Sequence, residues 1–305
     1  MMDLHPTISV IIPVYNDIEA LQRCLRGVLA QDYRPELVEV IVVDNASTDP
    51  VPDIIGVDPR VRLLHEPRRG SYAARNTGVA AATGEVLAFT DSDCIPRPDW
   101  LRRGVAALRR DPPPDAIGGA ITIFFSHGTE PRSGPEHFEA LNEFQQQKYI
   151  EEWSFAATAN VFVTREVFDR VGPFNPELKS GGDTDWGNRL VAAGGRLVFA
   201  PAVVVDHPAR SSWRELGRKS LRVANGIADR TEHLGRRASL QRGAREARGG
   251  LSIWVRVWDD NTPAPKGRRD RLRYAAAFSY VRVLRVSVHA RRILRRRGER
   301  GIPQR

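Results

Sequence analysis

The sequence predicts an α/β fold, in which helices flank a mostly parallel sheet, followed by a basic helical C-terminal region. Two patterns lead to this prediction. Short apolar runs alternate with amphipathic helical segments through the first half of the chain, which is typical of a parallel sheet wrapped by helices. Several of these runs stop abruptly at a polar cluster, and the carboxyl ends of parallel strands meet at one edge of a sheet.

The individual elements follow from local patterns. Buried strands are expected at the apolar runs 8–13, 38–43, 61–64, 86–89, 117–125 and 203–205. A helix over 19–30 has Leu21, Leu25 and Val28 on one face, and an Ala-rich helix over 71–82 is closed by Gly84.

Composition narrows the class of protein. The chain has 305 residues, of which 41% are hydrophobic and 27% charged, as in globular proteins of one large domain or two smaller ones. We find neither an apolar run long enough to span a bilayer nor a signal-peptide pattern. The two cysteines, Cys24 and Cys94, lack a C-x-x-C spacing, so we expect a reduced, cytoplasmic location.

The charges are distributed unevenly along the chain. Residues 208–305 contain 26 Lys and Arg against 8 Asp and Glu, whereas residues 1–207 contain 20 against 29. We therefore expect a catalytic domain over 1–207 and a basic, mainly helical region over 208–305 that meets an anionic surface.

Three polar clusters follow the strands predicted at 8–13, 38–43 and 86–89, and they read PVYN, VDNASTD and TDSD. Released from one edge of one sheet, they should converge on a single crevice. The chain has neither the glycine-rich dinucleotide fingerprint nor a P-loop, which disfavours both of those nucleotide sites. A nucleotide bound through carboxylates and a metal ion fits better.

Asp91 and Asp93 are separated by one residue at the end of a buried apolar run. Two like charges so close raise each other's pKa, and an unpaired buried carboxylate is unfavourable. A divalent cation such as Mn²⁺ or Mg²⁺ relieves both costs, since hard cations prefer oxygen ligands. A solvated turn is the alternative interpretation of the pair.

Together, the motifs ISVIIPVYND, VVDNASTD, ARNTG, TGEVLAFTDSDC and GGDTDWGNRL resemble the family 2 glycosyltransferases of GT-A fold. The resemblance covers roughly residues 7–207. It implies a GT-A catalytic domain, with a divalent metal cofactor, that moves a sugar from a nucleoside diphosphate sugar to an acceptor hydroxyl with inversion.

The resemblance also assigns the nucleotide pocket. Asp44 accepts a hydrogen bond from the base, and the stretch containing Pro13, Tyr15 and Asn16 packs along it. Arg75 lies beside the pocket and orders the aspartates or the phosphates. The structural alternatives are a turn-forming Asp44, a half-exposed sheet-end Tyr15 and an Arg75 that pairs with a neighbouring carboxylate.

For the metal, the resemblance makes Asp93 the direct ligand and Asp91 a partner of the ribose or of the ligand shell. His207 follows the last predicted strand, where a strand-end histidine often completes the metal sphere in this fold. A structural hydrogen bond is the alternative role for His207.

The general base is expected in SGGDTDWGNRL. The family commonly has Glu-Asp here, and the second of the pair is the base; this chain has Gly182 in place of the glutamate. Asp183 aligns with the base, and an N-cap is its structural alternative. Asp185 is the alternative base and a candidate substrate-binding residue, and Trp186 lines the acceptor site or packs in the core.

The basic tail begins with a helix that has an S-x-x-E capping box at Ser212 and Glu215. Near its end, helical spacing produces a basic stripe of Arg282, Arg285, His289, Arg292 and Arg296 beside an apolar stripe of Phe278, Val281, Leu284 and Val288. Such a helix is expected to lie on anionic lipid. A helix docked on the catalytic domain is the alternative, and nucleic acid is a disfavoured partner.

These expectations combine into a cytoplasmic, metal-dependent, inverting glycosyltransferase, peripheral on the inner face of the membrane. Its acceptor would be a glycan or a lipid-linked molecule of cell-envelope polysaccharide or glycolipid synthesis. The alternatives are a sugar-nucleotide nucleotidyltransferase and a non-catalytic module that binds nucleotide sugars.

Overall fold

The computed structural model of the chain describes residues 5–49, 51, 58–231, 235–259 and 261–299, without the side chains of residues 235, 236, 238 and 295–299. The chain divides into two compact units, Met1–Thr122 with Phe144–Pro208, and Ile123–Glu143 with Ala209–Arg305. The predicted limits, 1–207 and 208–305, differ from this division in the segment 123–143, whose acidic composition does not mark it as part of the basic region.

A mixed sheet organises the first unit. Its strands are β1 (Ile8–Val14), β2 (Val38–Asp44), β3 (Val61–His65), β4 (Val86–Thr90), β5 (Ile95–Pro96), β6 (Ala116–Phe124), β7 (Asn160–Thr164) and β8 (Leu197–Pro208). Among the described residues their order is β3-β2-β1-β4-β7-β6-β8-β5. The pairs within β3-β2-β1-β4 are parallel, whereas β7 pairs antiparallel with both β4 and β6. The predicted strands are confirmed; β5 and β7 were not among them.

Helices cover both faces of this sheet. They are α1 (Ile18–Leu29), α2 (Ser71–Ala81), α3 (Trp100–Leu108), α5 (Gln146–Trp153), α6 (Arg165–Val171) and α7 (Gly182–Ala192), with α4 (Gly134–Asn142) in the second unit. On β1, Ile12 belongs to the apolar cluster that includes Leu21 of α1, and Ile11 to the cluster that includes Val79 of α2. Because both faces are covered, the apolar run of β1 is continuous rather than alternating.

The second unit is helical, and it adds α8 (Trp213–Arg230), α9 (Gly235–Arg256) and α10 (Arg268–Glu299) to α4. The predicted capping box is confirmed: Ser212 Oγ accepts from the Glu215 N–H at 3.2 Å, and Glu215 accepts from the Ser212 N–H at 3.4 Å. The core of this unit contains Phe138, Leu216, Ile253, Val257, Tyr274, Phe278 and Val281. No described helix is long and apolar enough to cross a bilayer.

The prediction that the apolar stripe of α10 contacts lipid is wrong. Phe278 and Val281 are buried in the core of the second unit, and Val288 packs with Ala224 and Ala228 of α8. An amphipathic pattern does not distinguish lipid from neighbouring helices, because both cover an apolar face equally well.

The basic stripe of α10 also has protein partners. Arg282 pairs with Glu246 of α9 at 2.6 Å, Arg285 lies 3.9 Å from the same carboxylate, and Arg292 pairs with Asp229 of α8. His289 is buried, and the side chain of Arg296 lies outside the described residues. This stripe therefore does not present a free basic surface over the described positions.

Candidate active site

Asn16 joins the segments that follow β1 and β2. Its backbone N–H donates to Ser47 Oγ at 3.0 Å, and its Oδ1 accepts from the Thr48 N–H at 2.7 Å. Its φ of 50° is left-handed, a conformation that asparagine adopts more readily than most residues. The two strand ends therefore meet, as the sequence predicts.

Asp44 ends β2, and both of its carboxylate oxygens have partners. Oδ1 accepts from the Ser47 N–H at 3.1 Å, and Oδ2 lies 3.0 Å from Nδ1 of His65 at the end of β3. The sequence reasoning missed His65, although its place at the end of a predicted strand was the available signal. Pro13 is buried inside β1, opposite Val43 in the register.

Tyr15 presents an aromatic face at this edge of the sheet. It is 47% exposed, and the guanidinium of Arg69 lies 5.4 Å from its ring centroid. Asn45 fixes the backbone on either side of Arg69, since its side chain donates to the Arg68 carbonyl and accepts from the Gly70 N–H, each at 2.7 Å. An exposed aromatic ring at this edge of the sheet can pack against a nucleotide base. The nucleotide-binding roles of Pro13, Tyr15, Asn16 and Asp44 stay predictions.

Asp91 follows β4 and is paired within the protein. Its carboxylate forms an ion pair with the guanidinium of Arg75 on α2, whose side chain is only 3% exposed. A charge buried to that degree needs a counter-ion, because leaving it unpaired is costly. Arg75 therefore neutralises Asp91, which is the pairing named as its structural alternative, and its role beside a nucleotide stays a prediction.

Asp93 faces His207 across the sheet edge. Asp93 Oδ2 lies 3.3 Å from Nε2 of His207, which is 2% exposed. The other ring nitrogen, Nδ1, lies 2.8 Å from the Pro208 carbonyl oxygen, and the Phe144 ring centroid is 4.4 Å from that of the imidazole. A carbonyl can only accept, so Nδ1 carries a proton, and Nε2 is the ring nitrogen that faces Asp93.

These residues fit a divalent ion. Ligand atoms of Asp93, Cys94 and His207 lie within 4.8 Å of one another. A carboxylate oxygen suits Mn²⁺ or Mg²⁺, and an imidazole nitrogen is a common further ligand in protein metal sites. Burial raises the pKa of the Cys94 thiol well above its usual value, and sulfur is a soft ligand that Mn²⁺ and Mg²⁺ disfavour, so Cys94 is the least suitable of the three ligands.

Asp183 lies in the first turn of α7. Its Oδ1 accepts from the Thr184 N–H at 2.8 Å and from the Tyr72 hydroxyl at 3.3 Å. A Cβ at Gly182 would lie 2.8 Å from atoms of the Tyr72 ring. The ring thus occupies the space that a glutamate side chain would need, which explains the glycine where the resemblance leads one to expect Glu.

One face of α2 links the two acidic centres. Tyr72 and Arg75 are three residues apart on this helix, and the guanidinium lies 5.7 Å from the Tyr72 ring centroid. Burial, and then the charge of Asp183, raises the pKa of the Tyr72 hydroxyl, so Tyr72 acts as a donor. The sequence reasoning missed Tyr72, because its contact with Asp183 spans 111 positions.

Asp185 and Trp186 have structural partners. Asp185 pairs with Arg189 of the same helix at 3.2 Å, and Arg189 also donates to the carbonyls of Val171 and Pro173. Trp186 is 4% exposed, and its indole N–H donates to the Gly172 carbonyl at 3.0 Å. The core-packing alternative therefore describes Trp186, and the suggested substrate role of Asp185 finds no support in these contacts.

A family model decides the relationship of this chain to known proteins. The model of glycosyl transferase family 2 matches residues 9–172, more than half of the chain. The chain belongs to this family. Its sheet and flanking helices are a GT-A fold, and glycosyl transfer is its class of reaction.

Individual relatives agree with the family 2 assignment. The chain is 39% identical over 231 residues to the glycosyltransferase AglE of Haloferax volcanii, and the match covers 74% of each chain. It is 31% identical over 218 residues to a pre-mycofactocin glycosyltransferase of Mycobacterium tuberculosis, covering 69% of this chain and 44% of that protein. The mannosyltransferase PcManGT from Pyrobaculum calidifontis, in complex with GDP-Man and Mn²⁺, has a TM-score of 0.56 and 22% identity, covering 99% of this chain and 79% of that one.

Proposed function

We propose that this family 2 member transfers a sugar from a nucleoside diphosphate sugar to an acceptor hydroxyl, with inversion at the anomeric carbon. The observation that carries the proposal is that one helix, α2, contacts both acidic centres. Its Arg75 pairs with Asp91 at the end of β4, and its Tyr72 donates a hydrogen bond to Asp183 at the start of α7. The two carboxylate centres suit different tasks, donor binding at the strand ends and proton transfer at α7.

At the donor end, Asp93 and His207 would hold the divalent ion, which neutralises charge on the diphosphate leaving group. Asp44, Tyr15 and Asn16 would bind the nucleoside. The fold relative crystallised with GDP-Man and Mn²⁺ supports a donor of this class.

At the acceptor end, Asp183 takes the proton of the hydroxyl group as its oxygen attacks the anomeric carbon. The bond from that carbon to the phosphate oxygen breaks at the same time, and its electron pair leaves with the diphosphate. A single displacement of this kind inverts the anomeric centre.

A groove of about 440 Å³ in the first unit is a suitable acceptor site. It is lined by Ala120, Ile121, Phe144, Gln145, Gln146, Gln147, Lys148, Glu151, Glu152 and Phe199. Phe144 lies in its wall and also packs on the His207 ring, so the groove adjoins the proposed metal site. Its amide and charged side chains can bind the hydroxyl groups of a glycan.

The charge of residues 208–305 supports an acceptor at an anionic membrane surface. We therefore propose a peripheral enzyme whose acceptor is a lipid-linked or envelope glycan.

The test is a screen of nucleoside diphosphate sugars with Mn²⁺, Mg²⁺ or EDTA, using water as the default acceptor. We expect metal-dependent release of one sugar, with the inverted anomer observed by ¹H NMR before mutarotation. Release of the retained anomer would contradict inversion. Nucleotide-sugar binding without turnover would favour a non-catalytic module, and synthesis of a nucleotide sugar from a sugar phosphate would favour a nucleotidyltransferase.

A further inference from the structure

Helix α9 carries an apolar face that the second unit leaves uncovered. Leu251 and Val255 are 75% and 76% exposed, and Trp254 and Trp258 are 43% and 41% exposed. We call these four residues the α9 face. Leu251, Trp254 and Val255 lie on one side of the last turns of α9, and Trp258 follows in the turn after the helix.

The opposite side of the same segment is fully packed. Ile253 and Val257 are 1% and 0% exposed and belong to the core of the second unit. The unit thus completes its own core without the α9 face. A contiguous exposed surface of this kind in a globular protein generally marks an interaction site.

The two tryptophans are held in place by polar partners. The Trp254 indole N–H donates to Ser279 Oγ at 2.9 Å. The guanidinium groups of Arg268 and Arg271 lie 5.9 Å and 5.7 Å from the Trp258 ring centroid. Tryptophan with one apolar and one polar end, beside arginine, is the combination enriched at membrane–water interfaces.

The exposed charges around the α9 face are mainly positive, although Asp259, next to Trp258, is exposed as well. Arg245, Arg248 and Arg256 on α9 are exposed. The acidic residue of the α9 sequence, Glu246, pairs instead with Arg282 of α10. The rim of the face therefore complements an anionic surface.

We propose that the α9 face docks the protein on anionic lipid, with Leu251, Val255 and the two indoles entering the interfacial region and the arginines meeting the headgroups. Docking of a second copy through the same face is disfavoured, because it would bring two arginine rims together. The inference deepens the membrane part of the proposed function and assigns it to α9 in place of the α10 stripe.

The experiment uses the full-length protein and vesicles of phosphatidylcholine with or without phosphatidylglycerol. We expect co-sedimentation with the anionic vesicles, weakened by salt, and quenching of tryptophan fluorescence by lipids brominated on their acyl chains. The double variant Leu251→Glu with Val255→Glu should lower the vesicle partition coefficient by about tenfold or more, since these side chains would no longer leave water.

A matched control replaces an exposed leucine elsewhere, Leu63→Glu on β3, which is 42% exposed and should bind vesicles like the wild type. Thermal unfolding followed by circular dichroism shows whether each variant is folded. The double variant Trp254→Phe with Trp258→Phe keeps the face apolar, so it should still bind vesicles but lose most of the bromolipid quenching.

Three results would overturn the proposal. They are unchanged vesicle binding by the folded Glu double variant, binding that salt abolishes without any bromolipid quenching, and a dimer in light scattering that only the Glu double variant dissociates. Nucleotide-sugar hydrolysis in vesicle-free solution should be the same for all variants. Failure of vesicle docking and failure of the proposed chemistry are therefore observed separately.

Discussion

The hydroxyl group of Tyr72 on α2 donates a hydrogen bond to Oδ1 of Asp183 on α7, at 3.3 Å. The absence of a side chain at Gly182 makes room for the Tyr72 ring. The same helix face carries Arg75, which pairs with Asp91. Helix α2 thus positions both Asp183, the expected base, and Asp91 at the end of β4. The glycine at position 182, where the family commonly has glutamate, makes room for Tyr72.

Tyr72→Phe tests this positioning. The variant keeps the ring that packs on Gly182 but removes the donor, so we expect turnover to fall by about tenfold, with donor KM nearly unchanged. The acid limb of the pH–rate profile should move to higher pH, because the carboxylate loses a donor that favours its charged form. Equal loss at every pH, with a lower thermal midpoint, would indicate a structural role only.

His207→Gln tests the metal site. We expect Mn²⁺ affinity, measured by the EPR signal of free Mn²⁺, to fall by more than the roughly 10- to 100-fold typical of losing an outer-shell partner. His5→Gln, at an exposed position in the same unit, is the control and should bind Mn²⁺ like the wild type. Equal Mn²⁺ affinity in the two variants would leave the Pro208 hydrogen bond as the function of His207.

Asp91→Asn and Asp93→Asn should differ in stability. Asp91→Asn leaves the buried guanidinium of Arg75 without its counter-charge, for which we expect a loss of about 2 kcal/mol in the free energy of unfolding. This is below the usual cost of breaking a buried pair, because the Asp91 side chain is 33% exposed. Asp93→Asn removes one of two neighbouring negative charges and should be near neutral. Urea denaturation measures both, and equal midpoints would contradict the assigned role of Arg75.

The sequence was sufficient to predict much of the fold. The run that became β1 is apolar except at Ser9 because both faces of that strand are covered, and a polar cluster begins where the strand ends. Asn16 and Asp44 follow from the same rule. These features could be predicted because each depends only on residues that are adjacent in the sequence.

Tyr72 could not be predicted in this way, since its contact with Asp183 spans 111 positions of the sequence. His65 did have a local signal at the end of a predicted strand, and for Trp186 the sequence left acceptor binding and core packing as alternatives. The α10 stripe was misread for a related reason. Val281 and Val288 show the periodicity of a surface-seeking helix, but the pattern does not state whether lipid or protein covers it. The exposed residues at the end of α9 also have helical spacing, but the sequence does not state that the rest of the chain leaves them uncovered, and only their accessibility distinguishes them.

His289 makes the stability of the helical unit depend on pH. Burial lowers the pKa of this imidazole from 6.5; Glu246 opposes the shift, while Arg242 and Arg292 reinforce it. The unfolded chain binds the His289 proton more readily than the folded chain does. The contribution of neutral His289 to the free energy of unfolding is therefore fully present above pH 6.5 and is lost as the pH falls below that value. The unfolding midpoint in urea should drop between neutral pH and about pH 5.5, and His289→Gln should reduce that drop. Identical pH slopes for the two proteins would contradict this assignment.

The most direct test of the account separates donor binding from proton transfer, since we assign the first to Asp93 and the second to Asp183. Calorimetry measures the affinity for a nucleoside diphosphate with Mn²⁺, and NMR measures turnover of the matching nucleotide sugar, for Asp93→Asn, Asp183→Asn and Asp185→Asn. We predict that Asp93→Asn loses both affinity and turnover. Asp183→Asn should keep the affinity while turnover falls roughly 10²- to 10⁴-fold, the range for loss of a general base. Full turnover in Asp183→Asn, or the predicted loss in Asp185→Asn instead, would contradict the assignment of the base.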